Sequence, residues 1–223
     1  MADNRKCGWA LIAGAVAGIV TMALHPTGHD FAVAGQFDAV ARLNTAVHTL
    51  AMMAVALSFL GAIGLYRLLE SPSRLSLSAL VIYGFASVAL INAAAFSGLV
   101  APATLRHAAG AADAEAAMWT VATHYTGTLN QAFARIYVVG SSFSVLLWSL
   151  AMLRPPKTAP ALGTYGAIIG PLAALAVLSG HIRLDVHGFG MIVLTQSIWF
   201  IAAGVLLMKA DPAGPRAQSA PSS

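Results

Sequence analysis

The residues of this chain best suited to chemistry are seven histidines, at positions 25, 29, 48, 107, 124, 181 and 187, with a few aspartates and arginines near them. The densest stretch is GHIRLDVHGFG, residues 180–190, where His181, Asp185 and His187 fall within seven positions. Gly180, Gly188 and Gly190 flank them and permit a tight turn. A second cluster, HPTGHD at residues 25–30, carries His25, His29 and Asp30. Imidazole and carboxylate ligands gathered from two such loops suit zinc, iron or copper better than magnesium. Neither cluster matches HExxH or another strong metal signature, so histidines that simply line a membrane border stay open as an alternative.

A catalytic zinc takes three protein ligands and keeps one position open for water, whose pKa it lowers. His25, His181 and His187 form the first ligand set, with His29 and His48 as replacements. Asp30 or Asp185 would serve as general base in hydrolysing an amide or ester of a lipid-like substrate, with His124 or Arg135 steadying the oxyanion. A redox reading uses the same groups differently: His48 and His124 as axial ligands of one haem, Arg106 or Arg135 pairing with its propionates, or a quinone in the same place. No helix carries histidines 13 or 14 apart, the spacing that stacks two haems across a bilayer. The third class is non-enzymatic: a proton-linked transporter, a sensor of pH or metal, or a subunit of a membrane complex.

The elements that must position these groups are membrane spans. With 58% hydrophobic and 9% charged residues and a mean hydropathy of +0.77, the chain is too apolar for a water-facing surface. Six apolar runs approach the about 20 residues a bilayer core requires: Trp9 to Leu24, Thr45 to Tyr66, Leu77 to Val100, Ile136 to Leu153, Tyr165 to Gly180 and Gly188 to Met208. They lack period-two alternation, which predicts an all-α, six-transmembrane-helix bundle over residues 1–210. Residues 211–223, rich in proline and serine, read as a disordered cytoplasmic tail.

Charge sets the orientation. Arg5, Lys6, Arg67, Arg74, Arg154, Lys157, Lys209 and Arg216 fall on the side of both termini. Arg42, Arg106, Arg135 and Arg183 share the histidine side with Asp30, Asp38, Asp113, Glu115 and Asp185. The positive-inside rule then makes this a multi-pass protein of the bacterial inner-membrane type, termini cytoplasmic and histidines outside. The net charge of +4 follows from this anchoring and from anionic membrane lipids, and does not point to nucleic acid. Arg5 and Lys6 before an apolar run also admit a signal-peptide reading, with Thr21 and Ala23 as the cleavage pair. The single cysteine, Cys7, excludes an intrachain disulfide.

Spacing adds detail. His124, Thr128, Gln131 and Arg135 form one stripe if the fourth helix begins early; Arg135 then lies a few turns inside the border, either buried in the bundle or snorkelling to the headgroups. The segment from Asp113 to Thr123 either lies on the outer surface or runs into that helix, with Asp113 as a cap. Asn44 and His48 share a face of the second helix; Asn44 reads as its cap. Asn92 is a candidate cavity floor, and Gln196 should not share a pocket with His187. Gly14 and Gly18 make a GxxxG step that serves the bundle or a homo-oligomer.

Overall fold

The computed structural model describes residues 2–31, 33, 35–69, 74–155 and 158–210, and of Ala2 and His29 the backbone alone. The tail at 211–223 lies outside the described residues. Among the described residues eight α-helices follow in order: α1 (Ala2–Ala23), α2 (Gly28–Phe31), α3 (Phe37–Leu68), α4 (Leu75–Ala95), α5 (Ala101–Gly110), α6 (Asp113–Leu153), α7 (Pro160–Leu178) and α8 (Val186–Lys209). A π-helical turn, Phe96–Val100, joins α4 to α5 without a break. No β-strand occurs among the described residues. Six helices, with α4 to α5 taken as one, are long and apolar enough to cross a membrane, so the chain is an all-α, six-span bundle as its hydropathy predicts.

The spans close into a ring. α1 packs on α3, α3 on α4, α4 on α6, α6 on α7, α7 on α8, and α8 back on α1. Glycine lets α1 approach its neighbours closely. A Cβ on Gly61 of α3 would stand 2.7 Å from the Leu11 backbone nitrogen, and one on Gly14 would stand 2.8 Å from the Ala54 carbonyl oxygen. Half of the GxxxG step is therefore used inside the bundle, against α3. Leu11 is fully buried, and Cys7 packs against Gly64 as a small apolar filler.

The end of the ring away from the histidines is filled by aromatic residues. Trp148 of α6 and Trp199 of α8 stack with centroids 6.0 Å apart, while Tyr83 and Phe200 close around them. The histidine end is lined instead by Ala51, Ala93, Ala94 and Ala134, small side chains that leave space at the ring's centre.

Three elements run farther than the apolar pattern implies. α3 starts at Phe37, so Asn44 lies within the helix and is no cap. The span that begins at Leu75 continues to Gly110. α6 runs unbroken from Asp113, about 62 Å by helical rise, and Asp113 makes no capping bond. From Arg135 to the far end of α6 at Leu153 the rise is about 27 Å, close to the about 30 Å thickness of a hydrocarbon core. Arg135 is thus about one hydrocarbon-core thickness of helix from the far end of α6. Beyond it α3, α5 and α6 project together, tied by the Arg106–Asp38 ion pair at 3.0 Å and by His107 stacked on Trp119.

Candidate functional site

The ring's open centre at the histidine end is a cavity of about 290 Å³. α1 gives it Thr21 and Met22, α3 His48 and Ala51, the π turn Ser97, α6 Asn130 and Gln131, and the start of α8 Asp185 and Phe189. His25, just past the end of α1, completes it. Pro26 holds the residue before it out of helical conformation, so the chain leaves α1 and turns the His25 ring inward over His48.

The two rings meet at their Nε2 atoms, 3.3 Å apart, with ring centroids 4.8 Å apart and planes at 69°. Their other nitrogens settle the tautomers. His25 Nδ1 lies 2.8 Å from the Pro26 carbonyl oxygen and His48 Nδ1 lies 2.7 Å from that of Asn44. A carbonyl oxygen only accepts, so both Nδ1 atoms carry the proton and donate it. Each neutral ring then presents an Nε2 lone pair to the other, an arrangement that calls for a cation between them. Backbone carbonyls that fix the far nitrogen are also how proteins usually orient metal-binding histidines.

The π turn explains why His48 stands where it does. Pro102 has no N–H, so in the turn before it the carbonyls of Ser97 and Gly98 lose their helical donor. Asn44 Nδ2 donates to Ser97 O at 2.7 Å and Thr45 Oγ1 to Gly98 O at 2.8 Å. These bonds draw α3 onto the turn, and the missing side chain of Gly98 makes room for the His48 ring, which is 6% exposed. π turns often mark functional sites for this reason: they redirect backbone groups that a regular helix would consume.

Burial holds the His25 pKa below its ordinary value near 6.5, against the opposing effect of the Pro26 carbonyl. The ring is therefore neutral at pH 7. Above pH 6.5 it is neutral in folded and unfolded chain alike; as pH falls below 6.5 the unfolded chain takes up the proton first, and His25 then costs the fold stability. In metal-free protein, NMR titration of the His25 imidazole is expected to give a midpoint below 6.5. A midpoint at or above 6.5 would contradict this burial.

The other sequence candidates are distributed. Asp185 lines the same cavity from the N-terminus of α8, where its carboxylate accepts the Gly188 N–H at 2.9 Å. That bond, with help from His187 and Arg183, lowers its pKa, which keeps it ionised and makes it a weak base. Asp30 accepts from Thr27 N and Thr27 Oγ1 at 2.6 and 2.9 Å and so closes the turn into α2. His181 is exposed and bonded to Ser179, and His187 is exposed on the first turn of α8. The His29 side chain lies outside the described residues. Among the described residues no group of three or more histidines, cysteines, aspartates or glutamates stands together.

His124, Thr128, Gln131 and Arg135 do share one face, and they line a separate groove of about 680 Å³ between α6 and the π turn. Arg106, beyond its pair with Asp38, lies 5.7 Å over the Phe37 ring and lines a third hollow. His48 and His124 thus border different spaces. Asn92 donates back to Val88 O on its own helix and lines none of these cavities. Gln196 lines a narrower chamber of about 70 Å³ that shares Thr21, Met22, Ala51, Leu90 and Phe189 with the first, while its amide donates to Ser142. Its Oε1 is buried with no partner among the described residues. Hydropathy and histidine content did not reveal Ser97, Gly98 or Asn130; the Gly98 to Pro102 interval inside an apolar run was the available signal. No protein-family model, curated protein or solved structure matches this chain.

Proposed function

We propose that this is an integral membrane metalloprotein in which His25 and His48 hold one first-row transition ion, zinc by preference, in a chamber open at the histidine end. The observation that carries the reading is the 3.3 Å between the two Nε2 atoms. A tetrahedral ion bound at 2.0–2.1 Å sets its nitrogen ligands about 3.3–3.4 Å apart, so the pair is spaced as one edge of such a site. Axial ligands of a haem face each other across the iron at about twice the metal–nitrogen bond length, a separation the pair does not have.

The pair supplies two ligands where a catalytic zinc usually takes three, so two positions are left open to the chamber. The ion would generate hydroxide from bound water near neutral pH, and the reaction that suits this is hydrolysis of an ester or amide in a lipid-like substrate. Met22, Ala51, Leu90 and Phe189 offer the apolar part of such a molecule a wall, and Ser97, Asn130 and Gln131 offer its carbonyl end hydrogen-bonding groups. Ionised Asp185 faces the same space, where it would add negative charge near the ion; its lowered pKa makes it a poor acceptor for the water's proton, which solvent would take. By the positive-inside rule the chamber opens away from the cytoplasm, and both termini lie inside.

Elemental analysis of untagged, chelator-free protein is expected to show about one equivalent of zinc. Cobalt substitution should then give the intense visible bands of a tetrahedral centre. Protein that stays metal-free after reconstitution would overturn the reading and leave a proton as the cation shared by the two rings, which is the behaviour of a pH sensor.

A further inference from the structure

The groove beside the chamber has features of its own. Arg135 is exposed, lines the groove, and has no ion-pair or hydrogen-bond partner among the described residues. No aspartate or glutamate lines that space; His124, Thr128 and Gln131 do, and Gly127, whose Cβ position is open, leaves it room. The adjoining face of α6 carries Ile136, Phe143 and Leu150, each at least 40% exposed, the pattern of a helix surface turned to lipid. Arg135 thus stands at the edge of this exposed apolar face, about one hydrocarbon-core thickness of helix from the far end of α6, which is where headgroup phosphates are expected. Its five N–H donors are free to hold a phosphate in bidentate fashion.

We propose that this groove seats the phosphate of an anionic phospholipid from the leaflet at the histidine end. Ser97, Asn130 and Gln131 line the groove and the histidine chamber alike, so a lipid held by Arg135 lies against the chamber's wall. The seat stands on its own geometry. Its use as a lateral entrance, which makes an anionic phospholipid the substrate class, rests on the metal-centre reading.

The test is native mass spectrometry of protein released from nanodiscs made of phosphatidylcholine and phosphatidylglycerol, with zinc measured on the same samples. Wild type should retain phosphatidylglycerol in preference to phosphatidylcholine. Arg135→Gln should lower that retention at least fivefold with zinc content unchanged, and Arg135→Lys should restore part of it. Excess inorganic phosphate should not displace the lipid. Equal retention in wild type and Arg135→Gln, no preference between the two lipids, or displacement by phosphate alone would each overturn the lipid seat. Loss of zinc from wild type with lipid preference intact would instead count against the metal centre and the entrance, and leave the seat standing.

Discussion

Replacing His48 with alanine is expected to remove the bound metal ion, from about one equivalent in wild type to less than about a tenth. The loss should exceed the about 10–100-fold in affinity that follows from removing a mere hydrogen-bond partner of a ligand, because here one of only two protein ligands is gone. His25→Ala should do the same, and it carries less risk to folding, since His25 lies outside the helices and is only partly buried. His181→Ala and His187→Ala are the discriminating controls. Both rings are exposed, and His181 is engaged by Ser179, so these variants should keep their metal. Metal lost from these two variants and retained in His25→Ala and His48→Ala would refute the pair and restore the ligand set suggested by the 180–190 hairpin.

Gly98→Ala is expected to disable the site without touching a ligand atom. The added methyl would come against His48 Cβ and stand 2.8 Å from its Cγ, closer than real contacts allow. Either α3 moves off the π turn or the ring swings away from His25, and both end the 3.3 Å approach of the two Nε2 atoms. Overpacking of this kind costs about 1–3 kcal/mol, so a lowered melting temperature should accompany loss of most of the metal. Thr45→Val separates the two effects. It deprives the Gly98 carbonyl of its donor, at a cost of about 1–3 kcal/mol for a buried acceptor left alone, yet puts nothing against the ring. It should lose stability and keep its metal, because the Asn44 bond to Ser97 still holds α3 on the turn. A Gly98→Ala protein with full metal content would show that the close packing of turn and ring does not position His48.

Several particulars were legible in the chain alone. The six apolar runs, the histidine content of one end and the polar stripe on α6 follow from residue order, because hydropathy and helical periodicity are properties of neighbouring residues. Helix ends were less legible. α3, α5 and α6 extend beyond the apolar runs on residues polar enough to resemble loops, and there their order comes from one another: Arg106 with Asp38, and His107 on Trp119. The depth of Arg135 is not read from the apolar run either, since it depends on where α6 crosses and not on where that run begins.

Which polar groups meet was decided by the tertiary structure. Sequence density favoured the hairpin with His181 and His187, but density along a chain does not turn side chains toward one point, and those two rings face solvent. His25 and His48 are joined because α1 lies beside α3 in the ring, because Pro26 turns the chain inward, and because Pro102 frees two carbonyls that draw Asn44 and Thr45 onto the π turn. The sequence by itself determined that the protein is a six-span helical bundle with its histidines at one end, since partition between water and lipid is additive over consecutive residues. The pairing of two particular rings at 3.3 Å depends on helix neighbours, rotation and one glycine-sized gap, and those are fixed only when the whole ring packs.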